Sequence, residues 1–161
     1  MIGRLGSVEI AAVGLGNQIF FILNMILFGI TSGGGVFIAQ FWGKKDLAGI
    51  RKSLGLMTLI AFVVSFIFTI VCLLIPNQLI RLYSPDPQVI KVGGSYLRFV
   101  CLSYVPTAIS FSITLALRST ERVKLPLVCT SISLFTNLIA NYLLIFVAGL
   151  GVIGAAIATV I

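Results

Sequence analysis

The sequence contains no histidine, and this absence removes several kinds of functional site from consideration. Metal sites built on imidazole, and the Ser-His-Asp and Cys-His catalytic arrangements, all require a histidine. Acidic residues are also rare, because the whole chain has only Glu9, Asp46, Asp86 and Glu121. All four lie in loops or at the flanks of apolar segments, where a solvated charge is the usual role. We therefore predict no enzyme, no metal site and no bound cofactor.

Cysteine is scarce as well. The three cysteines, Cys72, Cys101 and Cys129, are odd in number, and each lies inside an apolar segment. This setting is typical of free thiols that are buried and pack as small hydrophobic side chains.

Charged residues of either sign make up 9% of the 161 residues, whereas 59% are hydrophobic. A soluble domain has about a quarter charged residues. The charge-free stretches reach the roughly 20 residues that a helix needs to cross about 30 Å of hydrocarbon. Residues 62–71 are almost continuously apolar, without the alternation of a barrel strand. We predict an all-α, polytopic transmembrane helical bundle with spans at 13–42, 53–75, 92–117, 126–147 and, truncated, 152–161.

The net charge of +7 raises the question of a nucleic-acid partner, which the placement of the basic residues answers. Most of them lie in two loops that the positive-inside rule assigns to the cytoplasm, where they meet anionic lipid headgroups. We therefore expect the lipid bilayer as partner and no nucleic acid. Between the first two spans are Lys44, Lys45, Arg51 and Lys52, and between the third and fourth are Arg118, Arg122 and Lys124.

The two ends of the sequence suggest a fragment or a natural truncation. The last apolar run, residues 152–161, has about half the length of a membrane helix, and a helix ending there would leave carbonyl groups unsatisfied in hydrocarbon. Residues 1–9 lack the basic and apolar regions of a signal peptide and are typical of a loop that follows a helix.

Helix-breaking and polar residues inside the spans are the candidates for function. The run Thr31-Ser-Gly-Gly-Gly35 allows either close helix packing or a partly unwound segment beside a cavity. Pro106 predicts a kink in the third span. Asn137 and Asn141 lie one turn apart on one helical face, directed to a neighbouring helix or to a cavity. Tyr96 and Arg98 are either an interfacial anchor and a snorkelling arginine or residues at a cavity mouth.

An ordered set of short motifs resembles the multidrug and toxin extrusion (MATE) transporters over essentially the whole chain. No single motif is specific, but the set at these spacings is. The motifs are Gly14-Leu-Gly-Asn-Gln18, Gly29-Ile-Thr-Ser-Gly33, Ile38-Ala-Gln-Phe-Trp-Gly-Lys-Lys-Asp46, Ser84-Pro-Asp86, Tyr96-Leu-Arg98, Leu117-Arg-Ser-Thr120, Lys124-Leu-Pro126 and Gly151-Val-Ile-Gly-Ala-Ala-Ile-Ala-Thr159.

The resemblance implies a twelve-helix protein with two six-helix lobes, of which this chain is helices two to five and the start of six. Such a transporter lies in the cell membrane, in bacteria the inner membrane, and exports amphipathic or cationic small molecules in antiport with protons or sodium by alternating access. The partners then include the missing first helix and the C-terminal lobe. Carried over by position, substrate- or ion-binding residues are Tyr96, Asn137, Asn141 and Thr159.

The sequence departs from the family pattern at two positions. Asn141 replaces an aspartate that some members have, so the coupling carboxylate cannot be placed in this chain. Glu121 occupies a turn position where glycine is common. Two alternatives remain: an inactive truncated remnant, or a flippase for lipid-linked saccharides. A flippase needs several basic residues in its cavity, and Arg98 is the one candidate.

Overall fold

The computed structural model describes residues 7–147 and 151–160, and the regular secondary structure over these residues is all helical. Four helical stretches are long and apolar enough to cross a membrane: Ser7–Gly43, Leu47–Leu74, Pro87–Ser119 and Lys124–Ile145. The described part contains no β-strand, which confirms the predicted all-α membrane bundle.

The helices differ from the predicted spans mainly in their ends and in one added element. A six-residue helix at Pro76–Arg81 was not predicted, because it is too short to give a hydropathy signal. Ile161, the predicted last residue of the fifth span, lies outside the described residues, as does most of the interval between the fourth and fifth predicted spans. The elements are α1 (Ser7–Gly43), α2 (Leu47–Leu74), α3 (Pro76–Arg81), α4 (Pro87–Val100), α5 (Tyr104–Ser119), α6 (Lys124–Tyr142) and α7 (Gly151–Val160).

The third membrane stretch is interrupted where the sequence predicts a kink. A 3₁₀ turn at Cys101–Ser103 separates α4 from α5, three residues before Pro106. Proline has no N–H to donate and its ring clashes with the carbonyl four residues earlier, so an α-helix is weakened at this place. The Thr69 hydroxyl of α2 lies 3.1 Å from the Cys101 carbonyl oxygen and 2.9 Å from the Ser65 carbonyl oxygen of its own helix, so its one proton is shared between the two acceptors. A neighbouring helix thus supplies a donor at the break, as apolar surroundings require.

The glycine run in α1 serves packing, because the helix continues through it without interruption. Gly34 lies against the Met57 side chain of α2, and Gly35 against Leu115 of α5. The Thr31 hydroxyl donates a hydrogen bond of 2.8 Å to the Leu27 carbonyl oxygen. The hydroxyl is therefore satisfied within its own helix. Of the two predicted alternatives, the structure therefore favours close helix approach over a partly unwound segment.

The tightly packed core is shared by α1, α2, α4 and α5, whereas α6 is loosely attached. Leu23, Leu27, Leu97 and Tyr104 are fully buried in that core. In α6 only Pro126 is buried, and its apolar side chains face outward. Cysteine burial follows the same division, since Cys72 and Cys101 are buried but Cys129 of α6 is exposed, contrary to the prediction that all three are buried.

Two of the loop residues adopt left-handed backbone conformations that normally favour glycine. Lys45 has φ of 57° and Glu121 has φ of 61°. We expect Glu121→Gly to stabilise the complete protein by about 1 kcal/mol, because a Cβ is strained in this region. The measurement is the thermal unfolding midpoint in detergent. Glu121→Ala is the matched control, since it removes the same charge but keeps the Cβ. An equal rise for alanine and glycine would assign the gain to charge and contradict the backbone explanation.

Candidate functional site

A cleft of about 530 Å³ lies between α1, α5, α6 and α7. Its wall combines hydroxyl and amide groups with two phenylalanines, one arginine, a proline and a leucine. The lining residues are Phe28, Thr31, Ser103, Pro106, Thr107, Ser110, Phe111, Thr114, Leu115, Arg118, Thr130, Ser133, Asn137 and Thr159.

The polar character of the cleft follows from helical spacing on two facing elements. Along the 3₁₀ turn and α5, polar side chains recur at intervals of four, three, four and four residues, which places them on one face. On α6 they recur at intervals of three and four. Polar groups inside a membrane are costly unless the backbone, another side chain, water or a bound molecule forms hydrogen bonds with them. The two faces are Ser103, Thr107, Ser110, Thr114 and Arg118, and Thr130, Ser133 and Asn137.

Three of the four residues that the sequence singled out lie together at the contact between α6 and α7. The Asn137 side-chain nitrogen donates to the Ala158 carbonyl oxygen of α7 at 2.8 Å. The Asn141 side-chain nitrogen lies 2.9 Å from both the backbone and the side-chain oxygen of Asn137. Thr159 donates to the Ala155 carbonyl at 2.9 Å. Asn137 and Thr159 line the cleft, whereas Asn141 lies one turn further along α6 and does not.

Tyr96 lies apart from this group. Its side chain is 3% exposed, and its hydroxyl forms a hydrogen bond of 3.2 Å with the side-chain oxygen of Asn17. The structure therefore places the Tyr96 side chain between α4 and α1, where it is buried among protein side chains. Tyr96 is not among the residues that line the cleft.

Arg118 is the charged residue of the cleft, and the sequence reasoning did not select it as a site residue. The expected basic candidate, Arg98, is exposed and lies outside the cleft lining. The spacing of Arg118 in the sequence could have identified it, because Arg118 continues the hydroxyl-bearing face of α5 by one turn. The described lining contains no carboxylate.

Four membrane-length helices with a polar cleft between them define a multi-pass integral membrane protein. The family model described as MatE matches residues 1–143. The chain belongs to the MatE family, which confirms the resemblance and the predictions of a multi-pass membrane location and of a protein that is not an enzyme.

Individual relatives agree with this assignment. The chain is 27% identical to "Probable multidrug resistance protein NorM" of Rhizobium meliloti, over 98% of this chain and 34% of the relative. It is 30% identical to "Multidrug and toxin extrusion protein 1" of Xenopus tropicalis, over 99% of this chain and 28% of the relative. The crystal structure of MATE in complex with MaD3S has the same fold, with a TM-score of 0.92 at 21% identity, over 99% of this chain and 36% of that one. The chain thus spans about a third of the length of these proteins.

Proposed function

We propose that these residues belong to a secondary transporter that exports amphipathic drug-like molecules, organic cations among them. The observation that carries the proposal is the cleft, an intramembrane space of about 530 Å³ with a mixed polar and aromatic wall. This volume lies within the roughly 300–1,000 Å³ of small-molecule sites. Family membership and the drug-resistance and extrusion names of the relatives support the same function.

The chemistry of the wall suits varied ligands better than a single one. Phe28 and Phe111 offer ring faces on which apolar groups pack and to which organic cations are attracted. The hydroxyls of α5 and the amide of Asn137 provide hydrogen bonds that can be rearranged among ligands. We propose Asn137, Asn141, Thr159 and Tyr96 as residues of the substrate or ion pathway, with Asn137 and Thr159 in the cleft itself.

Transport in this proposal proceeds by alternating access, in which two lobes open the binding space to one side of the membrane at a time. Proton or sodium binding shifts the equilibrium between the inward-open and outward-open states. The described cleft residues offer no titrating carboxylate, so we propose that the coupling group lies in another part of the complete protein. A saccharide flippase is not proposed, because it requires several basic side chains where the described lining offers Arg118 alone.

The test is efflux of a fluorescent cationic dye from cells that express the complete coding frame containing these residues. Proton and sodium gradients are imposed separately, and we expect one of them to drive efflux above that of cells with empty vector. Ser110→Trp fills the cleft and should lower efflux, whereas Ile113→Trp should not, because Ile113 is 48% exposed on the same helix and does not line the cleft. No efflux under either gradient would contradict the proposal and favour an inactive remnant.

A further inference from the structure

A second, smaller pocket of about 250 Å³ lies where α5 ends and α6 begins. We call it the basic pocket. Two of its five lining residues carry positive charge, one carries a hydroxyl and two are apolar. They are Arg118, Val123, Lys124, Leu127 and Thr130.

The two cations of the basic pocket have no anionic partner within the described part of the chain. Neither Arg118 nor Lys124 forms an ion pair there, and Glu121, in the same turn, does not line the pocket. Val123 precedes α6 without a side-chain hydrogen bond to its first turn, so the positive end of the helix dipole also lacks a capping acceptor. Positive charge is thus directed at this pocket by two side chains and by the N-terminus of a 19-residue helix.

The apolar side of the pocket faces away from the protein. Leu127 is 68% exposed and Val123 is 56% exposed, although both lie at the start of a membrane-length helix. The positive-inside rule places this turn at the cytoplasmic surface, where the leaflet carries anionic lipids. A ligand that satisfies both sides of the pocket has a negative head and an apolar tail.

We propose that the basic pocket binds the phosphate group of an anionic phospholipid from the cytoplasmic leaflet. Arg118 and Lys124 contact the phosphate beside Val123, an acyl chain runs inward along Leu127, and Thr130, further along α6, donates a hydrogen bond to an ester carbonyl of the lipid. Arg118 and Thr130 also line the larger cleft, so the bound lipid lies at the end of the cleft nearest the turn. The site shares Arg118 and Thr130 with the cleft, but lipid binding can be measured without transport.

The experiment measures how much phosphatidylglycerol stays bound to the purified complete protein after exchange into detergent that contains a tenfold excess of phosphatidylcholine. Native mass spectrometry counts the bound lipids. We expect Arg118→Gln with Lys124→Gln to weaken retention on the order of 30-fold, since each basic residue near an anionic surface contributes about a fivefold preference. Lys44→Gln with Lys45→Gln is the matched control, because it removes the same charge from the other cytoplasmic loop but from residues that do not line the basic pocket, and it should weaken retention clearly less.

Equal loss of lipid in both double variants would overturn the site, because general surface charge would then explain the retention. Unchanged retention in the Arg118 and Lys124 double variant would also overturn it. A further arm adds inorganic phosphate, with sodium chloride of the same ionic strength as its control. It tests whether the pocket binds a lipid headgroup or free phosphate. Displacement of the lipid by inorganic phosphate, but not by chloride, would show a soluble-phosphate site and contradict the lipid assignment.

Discussion

Asn137→Ala in the complete protein is expected to reduce dye efflux about tenfold or more while leaving the amount of protein in the membrane unchanged. The variant removes an amide that lines the cleft and that joins α6 to the Ala158 carbonyl of α7 by a hydrogen bond of 2.8 Å. A buried carbonyl left without its donor costs about 1–3 kcal/mol, and about 1.4 kcal/mol corresponds to a tenfold change in an equilibrium. The prediction depends on the proposed transport function.

Two further variants make this result interpretable. Asn141→Ala should also impair efflux, because the Asn141 nitrogen donates to both oxygens of Asn137 and orients that amide. Ser131→Ala is the control, since it too removes a polar group from α6. Among the residues that the structure describes, the Ser131 hydroxyl bonds only to the Leu127 carbonyl of its own helix, and Ser131 does not line the cleft. Normal efflux in both asparagine variants would remove these residues from the proposed site.

The long helices could be predicted from the sequence because the hydropathy of a long segment alone indicates a membrane helix. A charge-free apolar stretch of about 20 residues has few alternatives to a membrane helix. The first predicted span, 13–42, lies entirely inside α1, and the fourth, 126–147, lies inside α6 and the π-helical turn Leu143–Val147 that follows it. That turn and α3 were not predicted, because their formation depends on local hydrogen bonding and packing that leave no hydropathy pattern.

The candidate site could be predicted only in part, because a cleft is made by contacts between distant segments. Asn137 was selected from its polarity within an apolar helix, and the structure places it in the cleft. The hydroxyl face of α5 and Arg118 carried a periodic signal, but serine and threonine in a membrane helix also bond to their own backbone, as Ser112 does with Ala108. Spacing alone therefore does not tell which face borders a cleft.

Tyr96 is the clearest case of a candidate residue whose contacts could not be predicted from the sequence. Its hydroxyl bonds to Asn17, 79 residues earlier in the sequence, and its ring rests on Gly16. Neither residue is close to Tyr96 in the sequence, and a glycine becomes a contact surface only when the facing side chain is known. The absence of a Cβ at Gly16 is what permits this contact, and the contact can be tested directly.

Gly16→Leu is expected to destabilise the complete protein by about 3 kcal/mol or more, seen as a lower thermal unfolding midpoint in detergent. A Cβ at this position would lie 2.6 Å from Cδ1 and 2.8 Å from Cε1 of the Tyr96 ring, and the ring is too deeply buried to turn aside. Gly14→Leu is the matched control on the same helix. A Cβ at Gly14 meets nothing within 4 Å, and the replacement also removes a helix-weakening glycine.

The milder Gly16→Ala variant keeps the prediction testable if the leucine variant does not fold, and it should lower the midpoint while Gly14→Ala does not. The cause can then be separated from a general effect of side-chain volume by combining Gly16→Ala with Tyr96→Ala. If the Tyr96 ring is the obstacle, the double variant loses less stability than the two single variants together, because removal of the ring makes room for the added methyl group. Strict additivity of the two losses would show that Gly16 and Tyr96 are not in contact and would contradict this packing of α1 against α4.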